Sequence, residues 1–277
     1  MIDTVSQEAP VRQLCELVEC ARSSYYYQPK VIVEADLRGQ IETICLEFPR
    51  YGYRRVTAQL HRLGWVMNHK RVLRLMREAN LLVEVKQVCR GTTNSQHPWG
   101  RYPNLVQDVV IDHPDQVWCA DITYIRLLTE YVYLAILMDV FTRAIRGWYL
   151  TRQLTDQLSL TALQRALTVH APPEIHHSDQ GVQYASASYT TLLHQACVQI
   201  SMAAVGCPTQ NAYAERLIRT LKEEEVYLHE YATVEEASSR IGRFLDDVYM
   251  HKRIHSALGY LTPAEFEAGY HRERLEQ

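Results

Sequence analysis

The hydrophobic pattern is helical in the first third of the chain, then turns extended and afterwards alternates between helical and extended stretches. Residues 50–82, RYGYRRVTAQLHRLGWVMNHKRVLRLMREANLL, contain two helix-length stretches, 54–62 and 69–79, parted by Leu63, Gly64 and Trp65. In the second stretch Val72, Leu73, Leu75, Met76 and Ala79 share one face of a helical wheel, and Lys70, Arg74 and Arg77 fall on the opposite stripe. Asn68 stands where an N-cap belongs. A helix packed from behind and cationic in front, joined to its predecessor by a glycine-containing turn, is the arrangement a helix-turn-helix needs to meet phosphates and base edges. Residues 1–49 are expected to be helical in part. The tyrosine cluster in CARSSYYYQPK points three ways on a helix and is expected to pack. The stretch 90–104, RGTTNSQHPWGRYPN, reads as a linker.

Beyond that linker the periodicity becomes extended. QVWCADITYIRLL (116–128), YVYLAILMDVFT (131–142) and AIRGWYLT (144–151) are β-rich runs parted by Thr129-Glu130 and by the Thr142-Arg143 turn, so they predict consecutive antiparallel strands. A helix capped by Thr155 or Asp156 follows and ends at Pro172-Pro173. After it come a short strand ending at Asp179, a helix in ASYTTLLHQAC, a strand in VQISMAAV, and a long helix from TQNAYAERLIRTLKEEEVYLHEY. The sequence therefore predicts an α/β protein with an RNase H-like mixed sheet. Its divisions are an N-terminal helical segment (1–49), a helix-turn-helix module (50–90), a linker (91–107), the mixed-sheet core (108–230) and a helical C-terminal extension (231–277). Thr262, Pro263 and Glu265 form a capping box in the last of these.

Composition narrows the class. No window of the 277 residues approaches ~18 consecutive apolar positions, and MIDTVSQEAP lacks the pattern of a signal peptide. A soluble cytoplasmic protein with no membrane partner is expected. Seven cysteines without a CxxC pair argue against a disulfide framework or a zinc knuckle, and are expected to be reduced and mostly buried. The net charge of −3 hides a basic block: residues 50–90 hold ten Lys or Arg against Glu78 and Glu84. Lys70, Arg71, Arg74 and Arg77 are the candidate contacts to a polyanion.

Three acids stand out in the second half. Asp121 lies within an otherwise apolar strand, where an ionised side chain is costly unless paired or bound to a cation. Asp179 ends a later strand, and Glu215 lies in the first turns of the long helix. Singly they could be a satisfied core acid, a turn residue before Gly181 and a helix-start acid favoured by the dipole. Jointly, adjacent strands and a helix laid over them would bring the three carboxylates together. Hard oxygen ligands of that kind suit Mg²⁺ or Mn²⁺, and two such ions can serve an in-line phosphoryl displacement. Asn211, Arg219 and Lys222 share the helix face of Glu215 and are candidate DNA contacts. Glu223, Glu224 and Glu225 read as solvated. Arg253 and His255 are candidates for a DNA phosphate or for local packing, and Asp139 for a structural acid.

The words WCADITYI, HHSDQGVQYAS, PTQNAYAERLIRTLKEE and YMHKRIHSALGYLTPAEF resemble, from about residue 20 to 268, the catalytic subunit of bacterial insertion-sequence transposases of the IS-three group. That subunit is the second-frame product with an integrase-type DDE core. The 35 residues between Asp179 and Glu215 are the interval typical of that class. The resemblance implies that Asp121, Asp179 and Glu215 are the catalytic, metal-holding triad, with two Mg²⁺ or Mn²⁺ ions per site. It implies DNA as partner, both terminal inverted repeats and target, a homo-oligomer on that DNA, and an upstream-frame helix-turn-helix and coiled-coil protein or a fusion to it. GVQY departs from the commoner serine-containing form at Val182, which is not a proposed ligand. Two rivals remain at this point: a tyrosine recombinase built on His251, Arg253, His255 and Tyr260, and a non-catalytic DNA-binding regulator.

Overall fold

The computed structural model describes residues 10–17, 20–22, 26, 34–83, 102–204 and 207–275. Tyr25 and Tyr27 of the tyrosine cluster, residues 84–90 of the basic block and 91–101 of the expected linker lie outside them. Two compact units divide the chain, Met1–Thr43 and Ile44–Gln277. The first holds helix α1 (Val11–Leu17) and the start of α2 (Glu34–Glu47), with Cys15, Leu37 and Ile41 buried.

In the second unit, α3 (Tyr53–Arg62) and α4 (His69–Glu78) form the predicted helical pair. Asn68 caps α4, its side chain accepting from the Lys70 amide at 2.8 Å. Gly64 takes the turn with φ +85°, a backbone conformation that suits a residue without Cβ. Val72, Leu75 and Met76 are buried and Lys70, Arg74 and Arg77 are exposed, as the wheel requires.

The strands are β1 (Val117–Arg126), β2 (Tyr131–Asp139), β3 (Ile145–Thr151), β4 (Ile175–Ser178) and β5 (Gln199–Met202). They form one sheet in the order β3-β2-β1-β4-β5. β1, β2 and β3 pair antiparallel, whereas β4 runs parallel to β1 through Val117↔Ile175, Trp118↔His176 and Cys119↔His177, and β5 parallel to β4. Helices α5 (Asp156–Val169) and α6 (Ala187–Gln195) cover the face that carries Trp118, Ala120, Ala135 and Leu137. The other face, with Cys119, Ile125, Leu134 and Ile136, is covered by α7 (Ala212–Glu224) and α8 (Val234–Arg243). Coverage of both faces is why these strands read as nearly continuous apolar runs. Gly147 permits the tight seat of α5 on β3, since a Cβ there would lie 2.7 Å from the Ala162 carbonyl oxygen.

Several details differ from the sequence reading. The long helix stops at Glu224, and a short 3₁₀ turn, Val226–Leu228, follows. Glu224 and Glu225 are not solvated: Glu224 receives Arg253, and Glu225 accepts from the Tyr231 hydroxyl at 3.2 Å. Residues 102–107, expected as linker, belong to the core, with Leu105 and Val106 packed on the sheet and the Leu105 amide donating to the Ser201 hydroxyl at 2.8 Å. Among the six described cysteines only Cys15 and Cys119 are buried, while Cys197 and Cys207 are exposed, and all six are free thiols. Among the described residues no helix is long and apolar enough to cross a membrane. The capping box is present: the Thr262 amide donates to Glu265 at 2.9 Å and the Glu265 amide to the Thr262 hydroxyl at 3.2 Å. α9 (Pro263–Leu275) begins there.

Candidate active site

β1 and β4 lie side by side, and their geometry decides where the acids go. Asp121 is two residues past the last β1–β4 pair, Cys119↔His177, and Asp179 directly follows β4, so both occupy the same end of the sheet. α7 packs on β1 and β2 through Ala214, Leu217, Ile218 and Leu221, which leaves Glu215 at its first turn facing that end.

Three contacts pin the start of α7 to the strands. The His177 ring bonds the Ser201 hydroxyl through Nδ1 at 2.8 Å and the Gln210 carbonyl through Nε2 at 3.1 Å. A carbonyl only accepts, so Nε2 carries the proton and Nδ1 accepts from Ser201. Burial holds this histidine neutral by lowering its pKa. The Gln210 side-chain oxygen accepts from the Ala204 amide, and the Asn211 amide donates to the Ala120 carbonyl at 3.1 Å, one residue from Asp121. His177, Ser201 and Gln210 carry no catalytic signal in the sequence. The His176-His177 pair next to Asp179 is the one hint, and its meaning depends on partners 24 and 33 residues away.

The carboxylates sense one another. Asp121 is pushed up to about 8, first by burial and then by the negative charge of Asp179, with Glu215 adding to it; a bond from the Ile122 amide and the Lys222 ammonium oppose the shift. Glu215 is raised by burial and by Asp179, against Arg219. Asp179 accepts from the Gly181 amide at 3.0 Å, and a Cβ on Gly181 would stand 3.0 Å from the same carboxylate oxygen. Tyr184, 2 % exposed, lies beneath Asp121 and Asp179, and its hydroxyl has no hydrogen-bond partner. Among the described residues no three His, Cys, Asp or Glu side chains stand close enough to hold a metal ion by themselves. The donor set is nonetheless all hard oxygen with an excess of negative charge. Mg²⁺ is commonly bound that way, through one or two carboxylates and completed by water and substrate oxygens.

The cations separate into two groups. Lys70, Arg74 and Arg77 line the exposed side of α4, with Arg74 paired to Glu78 at 2.7 Å, and Arg71 is half-buried. Arg219 is exposed and Lys222 half-buried on α7. Two candidate contacts face inward instead. Asn211 is 4 % exposed and serves the Ala120 carbonyl, because the turn Pro208–Asn211 rotates it toward β1. Arg253 is 2 % exposed with both ends of its fork on Glu224 at 2.7 Å, which makes it an internal ion pair. His255 lies against Arg253 and Tyr249, and burial, with the charges of Arg253, Arg55, Arg143 and Arg216, drives its pKa down to about 2. The recombinase cluster of His251, Arg253, His255 and Tyr260 is therefore no open site, since its arginine is already occupied. Of the basic block, half-buried Arg55 also turns inward, to Glu224 at 3.7 Å, while exposed Arg62 pairs with Glu265 on the surface.

The chain is similar to known proteins along most of its length. Two families described as Integrase core domain match residues 111–208 and 196–263, and one described as HTH-like domain matches 33–87. The chain is 33 % identical over 268 residues to the insertion element IS600 uncharacterized 31 kDa protein of Shigella sonnei, covering 93 % of this chain and 98 % of that protein. It is 30 % identical over 278 residues to the transposase InsF for insertion sequence IS3A of Escherichia coli, covering 96 % of each. Among solved structures, the HTLV-2 integrase catalytic core domain in complex with magnesium aligns with a TM-score of 0.45 at 14 % identity, over 56 % of this chain and 97 % of that one. With an integrase core behind an HTH-like domain and full-length likeness to insertion-sequence proteins, the chain belongs to the IS3 family of transposases.

Proposed function

We propose that the chain cleaves DNA strands at the ends of its insertion sequence and joins each freed 3′-OH to another phosphodiester. The observation that carries this reading is geometric: Asp121 on β1 and Asp179 just after β4 stand at one end of the sheet, by the first turn of α7 that carries Glu215, and Asp121 feels the charge of both. With water and substrate oxygens completing the coordination, these three carboxylates would hold two Mg²⁺ or Mn²⁺ ions, which would supply activation of the attacking oxygen and stabilisation of the leaving oxygen. Arg219 and Lys222, on the same helix as Glu215, meet phosphates flanking the cut. Lys70, Arg71, Arg74 and Arg77 on α4 hold the terminal repeat, with most of the affinity electrostatic and salt-dependent. His177 positions α7 and takes no part in proton transfer. The protein acts as a homo-oligomer on DNA, alone or fused to the upstream-frame helix-turn-helix and coiled-coil protein, in the bacterial cytoplasm.

The test is strand cutting on a duplex that carries the element's terminal repeat, with Mn²⁺ present. The protein is expected to nick it and a chelator to stop the reaction. Asp179→Asn is expected to fold and bind that duplex while cutting about a thousandfold more slowly, the several kcal/mol that a metal-holding group supplies. Cutting retained by Asp179→Asn, or a phenol-resistant protein–DNA adduct in its place, overturns the reading.

A further inference from the structure

Tyr124 lies three residues beyond Asp121 on β1, about 10 Å along an extended strand. There β4 no longer pairs with β1, since it covers only Val117–Cys119. The ring is 59 % exposed and meets Tyr131, itself 52 % exposed, edge to face at 5.8 Å. The Lys222 ammonium stands 4.6 Å from the Tyr124 ring centre and also sits close enough to Asp121 to oppose its protonation shift. One cation thus joins the aromatic pair to the acidic site. Arg126, exposed on the same strand and paired in register with Tyr131, adds positive charge beside the rings. A diagonal tyrosine pair that served only to pin the hairpin would gain most from being buried. Here both rings keep more than half their surface in solvent, and Lys222 links them to Asp121.

Exposed aromatic faces set among cations are how proteins hold unpaired nucleotides, because every base has a face to stack and every nucleotide a phosphate to neutralise. We propose that Tyr124, braced by Tyr131, is a stacking platform for an unpaired base within about one or two nucleotides of the scissile phosphodiester, with Lys222 and Arg126 on the adjoining phosphates. This assignment rests on the functional reading above and adds a substrate-positioning contact to it. The platform favours an end whose terminal pairs have opened, so it holds the strand where the acids work rather than reading its sequence.

The test places a fluorescent adenine analogue, one position at a time, beside the cut site of the terminal-repeat duplex. Binding is followed with Asp179→Asn protein, which leaves the strand whole. Quenching is expected at a position next to the cut. Tyr124→Ala in the same background is expected to restore the free-DNA signal there, and Tyr124→Trp to keep the quench. In otherwise unaltered protein, Tyr124→Ala is expected to cut about tenfold more slowly, as the loss of one stacked base predicts, at an unchanged thermal midpoint. An unaltered quench in Tyr124→Ala, or no quench at any position, overturns the platform. Wild-type protein that fails to cut with Mn²⁺ breaks the functional reading instead, so the two failures are told apart.

Discussion

Two acids in one sheet, half-buried Asp121 on β1 and fully buried Asp139 on β2, meet opposite surroundings. Asp139 has no exposed surface, and its oxygens are fully served: Oδ1 accepts from the Asp115 amide at 3.0 Å, Oδ2 from the Thr142 amide at 2.8 Å and hydroxyl at 2.6 Å. Arg146 stands 3.9 Å from it and is itself held by Asp115 and Glu267. Burial raises its pKa, and its donors and Arg146 pull it back. Around Asp121 the balance is reversed, since its acidic neighbours add to the burial and one amide and Lys222 stand against them. An acid that the fold satisfies is a part of the fold. An acid left among like charges marks where positive charge must arrive from outside the chain.

The largest break in this comparison comes from removing the cation at the satisfied site. Arg146→Met leaves Asp115, Asp139 and Glu267 without their common partner, and loss of one member of a buried charged group costs about 3–5 kcal/mol. Chemical denaturation should show a destabilisation of that size, and a loss under about 1 kcal/mol would mean that the arginine is dispensable. Next in size is a pair of isosteric changes with opposite signs. Asp139→Asn must set its amide NH₂ against a donor at one oxygen or the other, at a cost of about 1–3 kcal/mol. Asp121→Asn removes a charge that its neighbours repel, so in chelator near pH 8 it should raise the thermal midpoint while abolishing cutting. Equal signs for the two variants would dissolve the distinction between the sites.

That distinction was only half legible in the sequence. The two helices of the basic module, the antiparallel β1–β3 and the three acids follow from local features: period, turn residues, and one charge in an apolar run. What the sequence withheld are pairings between distant positions. Glu224 and Arg253 look like surface charges until the chain from α8 returns to bury them together. Asn211 shares a helical stripe with Glu215 on an ideal wheel, but the 3₁₀ turn before α7 shifts its direction and it bonds β1. His177 gains its role only when β5 supplies Ser201. Periodicity reports which face is apolar, and cannot report which polar groups will find each other across the fold.

The smallest effect is also the most selective. With Asp121 raised from its ordinary 3.8 to about 8, the folded protein keeps a proton that the unfolded chain has already released between those values. Unfolding there releases that proton, so this group's contribution to stability falls as pH rises from about 4 to about 8 and is level outside that window. The buried, neutral His176 and His177 act in the opposite sense, weakening the fold as pH falls below their ordinary 6.5. Only the difference between wild type and Asp121→Asn isolates the acid. In chelator, the variant's advantage in thermal midpoint should be near zero at pH 4 and grow to about 5 °C by pH 8. Mg²⁺ binds the ionised form, so its stabilisation of the wild type should grow over the same range and be absent from the variant. The same experiment on Asp139→Asn should give a loss at every pH, since its donors face the missing oxygen whatever the proton count. A pH-independent gain in Asp121→Asn would show that Asp121 is not raised in the folded protein, and the acids would then be no more than a second satisfied cluster.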